Sequence, residues 1–162
     1  MDAMMFQAWA NVGAAAAVSL AAAGSSLGTG AAGAAAVGAW KKCFVQKKPA
    51  PFQLVVFAGA PLSQTIYGMI LMFLIKGKAQ AIADAISSGN PPPNISAPML
   101  LWAGIFGGFA MGMSAWMQGK AGAGASDSFA ETGKGFTNNL MVLGIIETAA
   151  LFVMAFLISL MA

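Results

Sequence analysis

Glu147 is the residue in this sequence with the clearest capacity for chemistry. It stands inside the run from Leu140 to Met161, whose other residues are apolar, small or hydroxyl-bearing. A carboxylate in the middle of such a segment is costly in hydrocarbon, so by default it marks an ion pathway. The competing reading is a protonated glutamate that joins helices by a hydrogen bond. Asp2, Asp84, Asp127 and Glu131 fall in expected loops or tails and read as ordinary solvated charges.

A second apolar run offers partners for that carboxylate. Ala60, Ser63, Gln64 and Tyr67 are spaced i, i+3, i+4 and i+7, a single stripe on a helix. Three of the four carry side-chain oxygen. Pro61 in the same stretch cannot donate to the carbonyl of Phe57, and the kink expected there frees backbone oxygen. Gln118, at the end of a third apolar run, adds an amide. Carboxylate, amide, hydroxyl and carbonyl oxygens together form the shell that hard cations prefer. Taken singly, each polar residue reads as interhelical hydrogen bonding. A stripe of three beside a kink, with a lone carboxylate to serve, reads as a candidate ion site.

The elements that must position these groups are membrane helices. Apolar residues make up 59% of the 162 positions and charged residues 8%, with no His and no Arg. A soluble domain usually carries about a quarter charged residues. Four apolar stretches are each long enough to cross roughly 30 Å of hydrocarbon. They run approximately over Val12–Trp40, Leu54–Ile75, Met99–Gly119 and Leu140–Met161. The expected fold is an all-α membrane protein whose four transmembrane helices form two tandem hairpins. The first hairpin takes residues 1–78, a connecting loop residues 79–98, and the second hairpin residues 99–162. The loop combines an Ala/Ile segment, Ala79 to Ile86, with the breaker run Pro91-Pro92-Pro93. A second polar turn is expected over about Ala123 to Gly135.

Charge speaks to sidedness more than to partners. The net charge of +3 comes from lysines, and no basic stripe with interleaved aromatics suggests nucleic acid. Lys41, Lys42, Lys47, Lys48, Lys120 and Lys134 flank the two short turns, against Lys76 and Lys78 in the middle connection. The positive-inside bias therefore puts both turns in the cytoplasm, with the termini and the middle loop on the other side. Met1 to Trp9 lacks the positive residues of a signal peptide, so the first apolar segment is expected to remain as a span. The single cysteine, Cys43, excludes an intrachain disulfide and has no metal-binding partner in reach by spacing.

The two halves repeat. Displacing the sequence by 83 positions lays Thr65 on Thr148, Phe73-Leu74-Ile75 on Phe156-Leu157-Ile158, and Gln64 on Glu147. Duplication of a two-helix hairpin is the natural reading. Small residues add an assembly argument, since helices in lipid associate closely through small side chains. Gly24 and Gly28, continued by Ala32 and Ala36, form one row, and Gly104, Gly108 and Gly112 another. The second and fourth spans are bulky instead. One slim and one broad helix per hairpin suits the inner and outer circles of a ring, although such rows also pack compact monomeric bundles.

This pattern resembles the double-hairpin proteolipid, of the c or K type, in the ring of V-type and bacterial A/V-type ATPases, over nearly the whole chain. The resemblance rests on Gly24-Ser25-Ser26-Leu27-Gly28, on Pro61-Leu62-Ser63-Gln64-Thr65-Ile66-Tyr67-Gly68, on Gln118-Gly119-Lys120 and on Ile146-Glu147-Thr148. It implies a non-catalytic, homo-oligomeric rotor ring in the cell membrane, turning against a stator subunit and joined to a central stalk. It also implies transported Na⁺, with H⁺ as the alternative, and no other cofactor. Carried over by motif, Glu147, Gln64, Gln118 and Ser63 would be sodium ligands together with the carbonyl of Ala60. Tyr67 would lock the carboxylate. The chain departs from the family pattern at Ser63, where Thr is frequent, at Ala60, where a bulkier residue is usual, and in its longer middle loop. The alternative from another class is a small proton-coupled secondary transporter with Glu147 as its relay, which would call for polar groups on several helices.

Overall fold

The computed structural model describes residues 1–90 and 94–161. Among them the regular structure is helical: α1 (Ala3–Val45), α2 (Leu54–Gly59), a 3-10 turn (Ala60–Leu62), α3 (Ser63–Ser87), α4 (Ala97–Thr132) and α5 (Phe136–Leu160). Four segments among the described residues are long and apolar enough to cross a membrane, α2 and α3 counting as one through the 3-10 turn. The fold is thus the four-helix membrane protein expected, and its helices outrun the expected spans. At 1.5 Å per residue α1 reaches about 64 Å and α4 about 54 Å, well beyond the hydrocarbon.

Capping accounts for the ends. Asp2 accepts from the Met5 amide at 2.7 Å and starts α1 nine residues ahead of the apolar run. Ser96 does the same for α4 through the Met99 amide at 3.3 Å. The expected turn at 123–135 contracts to a few residues, because Ala, Ser and Glu carry α4 on to Thr132. Gly133 (φ 64°) and Gly135 (φ 80°) then adopt the left-handed conformation that reverses the chain. The Ala/Ile segment at 79–86 belongs to α3, which ends only at Ser87, so the first hairpin's helix extends into what reads as loop. Pro91-Pro92-Pro93 lie outside the described residues.

The glycine rows pack α1 against α4 within one chain. A Cβ on Gly24 would collide with the backbone of Gly112, one on Gly104 with that of Gly13, and one on Gly119 with that of Gly28. These rows are consumed inside the hairpin pair and by themselves say nothing about a neighbouring copy. The opposite side of α1 differs. Ala15, Ser19, Ser26 and Gly30 are exposed, and Gly30 and Gly33 have nothing near them. At 100° per residue this row lies across the helix from Gly13, Gly24 and Gly28. α5 is the broad, lipid-like element, with Met141, Val142, Ile145, Phe152 and Phe156 all exposed.

Two apolar clusters fill the interior. One runs from Phe6 and Ile82 to Leu71 and Met111; the other joins Leu54, Phe57, Phe129 and Leu143. Phe57 meets Phe129 edge to face at 6.2 Å and Phe136 at 5.3 Å. Of the candidate site, Tyr67 packs against the first cluster and Ala60 against the second.

Candidate ion site

Pro61 sets up the site locally. With no N–H to give, it breaks the α-helical ladder, and the chain passes through one 3-10 turn before resuming as α3. The carbonyl of Ala60 is not left free: it accepts from the Ser63 amide and lies 3.1 Å from Ser63 Oγ. Ser63 Oγ is also 3.1 Å from Gln64 Oε1. One hydroxyl has one proton to donate, so Ser63 serves one of these oxygens at a time. A hydroxyl, an amide oxygen and a backbone carbonyl are thereby grouped within a single turn.

Helices α4 and α5 complete the arrangement. Tyr67 Oη donates to Glu147 Oε1 at 2.6 Å, and Gln118 Nε2 donates to Glu147 Oε2 at 3.3 Å. Each carboxylate oxygen is held by a different neighbouring helix. Gln118 Nε2 also donates to the Leu143 carbonyl at 3.0 Å, and its Oε1 accepts from Gln64 Nε2 at 3.0 Å. Gln64 and Gln118 are fully buried, which in an apolar bundle demands that their amides be paired. Glu147 is eleven residues from the start of α5 and thirteen from its end, about 17 and 20 Å along the axis. That is mid-span.

Ala60, Ser63, Gln64, Tyr67, Gln118 and Glu147 therefore fall into one hydrogen-bonded cluster. Sequence reasoning missed one member. Ser114 Oγ donates to the Ile146 carbonyl at 2.9 Å and accepts from Gln64 Nε2 at 3.4 Å. The signal was its i−4 spacing from Gln118, one turn away on the same face of α4. Among the acidic residues read as solvated, Glu131 pairs with Lys42 and so ties the end of α4 to that of α1. Both groups are about half exposed, so the pair adds little stability. Cys43 is buried, 3.9 Å from the Ala130 carbonyl, and no group of three or more metal-binding side chains forms among the described residues.

Fold and site together define a class: a multi-pass helical membrane protein that keeps one hydrogen-bonded carboxylate at mid-span. Residues 101–161, comprising α5 and most of α4, match the family model for the C subunit of ATP synthase. That family consists of non-catalytic, ion-translocating rotor proteins. The comparison with curated proteins returned no match.

Proposed function

We propose that the chain is the rotor-ring subunit of a V-type or A-type ATPase and carries Na⁺ across the membrane at Glu147. The observation that carries this reading is the carboxylate held on both oxygens, by Tyr67 from α3 and Gln118 from α4, at the middle of a span. An ion-free Glu147 is an anion that cannot face lipid without large cost, whereas the loaded site is neutral and can. Loading and release would then occur opposite a stator subunit whose positive residue attracts the emptied carboxylate. A central stalk would join the ring to the ATP-handling subunits, with both short turns cytoplasmic.

Sodium is favoured over the proton by the company the carboxylate keeps. A proton site needs one carboxyl in an apolar pocket. Dehydrating a cation must be offset by several oxygens at once, and Glu147, Ser63 and Gln64 offer them. Gln118 would join through its oxygen only by turning its amide over, and the Ala60 carbonyl only through the lone pair that the Ser63 amide leaves. The unpartnered small-residue row on α1 supports ring assembly, since it offers a second copy the close approach that α4 has on the other side.

Labelling of Glu147 by a hydrophobic carbodiimide, which takes the proton of the carboxyl and is then attacked by its oxygen, tests the reading. Sodium in the millimolar range or below is expected to protect Glu147 at mildly acidic pH. Labelling that ignores sodium at every pH would make this a proton ring.

A further inference from the structure

Ser114 makes no hydrogen bond to Glu147, yet it bonds both to the helix that bears it and to the amide that faces the site. Its Oγ lies 2.9 Å from the Ile146 carbonyl, an oxygen with no hydrogen to give. The single hydroxyl proton of Ser114 is therefore committed to Ile146. Toward Gln64, 3.4 Å away, the hydroxyl can only accept. The two nitrogen-borne protons of Gln64 are thus matched on the α4 side, one by Ser114 and one by Gln118 Oε1. Were the amide to turn over, its oxygen would meet the lone pairs of Ser114, with no proton between them. Its NH₂ would meanwhile face Ser63 and the oxygens grouped around it.

A carboxamide serves a cation only through its oxygen. From this we infer that Ser114 is a positioning residue that fixes the orientation of the Gln64 amide and so sets the sodium affinity of the site. The inference rests on the sodium reading above. At 7% exposure Ser114 is buried, and alanine at this position removes the hydroxyl while keeping the helix and the packing. Without the acceptor, Gln64 loses one of the two partners that discriminate its nitrogen from its oxygen.

The test uses the full chain in its native assembly, with sodium chloride as the probe and carbodiimide labelling of Glu147 as the readout. In Ser114→Ala the sodium concentration giving half protection is expected to rise about tenfold, the order set by one net buried hydrogen bond. Sodium-free labelling should keep the wild-type pH profile, which a general loosening of the bundle would shift. Ser114→Thr, which retains the hydroxyl, should restore protection to within about twofold. Ser114→Cys, a weak donor and acceptor, takes the place of the alanine variant should that assembly not form. Half protection at the wild-type sodium concentration in the alanine or cysteine variant overturns the inference, as does an equal loss in the threonine variant. Wild-type labelling indifferent to sodium is a separate outcome, which removes the sodium reading and this inference with it.

Discussion

At the scale of single residues, the cluster divides into groups that would hold charge and groups that hold those groups. Glu147→Gln keeps the shape of the side chain but cannot be charged or discharged. Ion transport by the complete membrane complex carrying that variant is expected to disappear while the assembly persists; retained transport would remove Glu147 from the mechanism. Tyr67→Phe deletes only the 2.6 Å bond to Oε1. If the site takes sodium as proposed, the freed carboxylate should bind it roughly ten- to a hundredfold more weakly, the order of one charge-assisted hydrogen bond, measured as weaker protection from carbodiimide. The members of this cluster on α3 and α5 were legible in the sequence because polar residues in apolar helices are few and their spacing is helical. Ser114 was not, since serine in a membrane helix ordinarily bonds back to its own preceding turn, as Ser19 does to Ala15. Only the approach of α5 gives Ser114 a carbonyl on another helix.

At the scale of elements, the number and order of the helices followed from hydropathy, whereas their ends did not. Hydropathy reports where water gives way to lipid, and the caps at Asp2 and Ser96 and the glycines at 133 and 135 act outside that zone. The partner of each glycine row was also beyond a one-dimensional reading, because a small residue does not say which helix approaches it. The two faces of α1 now make opposed predictions. Gly24→Leu should drive α1 off Gly112 and cost on the order of 3 kcal/mol, seen as loss of folded protein or a lowered melting temperature in detergent. Gly30→Leu has open space around it in one chain and should leave the protomer folded. If the next copy packs there, that variant should fail to close a ring.

At the scale of the whole molecule, the expected species in gentle detergent is a closed ring of many identical copies. Native mass measurement decides this, and a monodisperse monomer that still binds ion would count against the rotor. The internal repeat bears on what such a ring could do. Gln64 in the first hairpin stands where Glu147 stands in the second, and the two are linked through Gln118 at one level of the bundle. The four spans therefore share one mid-span carboxylate, Glu147.

The consequence is one of gearing. A ring whose every hairpin bore a carboxylate would move two charges for each one moved here, for the same angle turned. Each charge crossing 100 mV requires about 2.3 kcal/mol. With half the charges per revolution, a given amount of chemical work per turn can push each ion against twice the opposing potential. In a ring built as proposed, an amide in place of one acid would put the rotor in low gear, a ratio that favours building a steep gradient over harvesting a shallow one without fixing the direction of rotation.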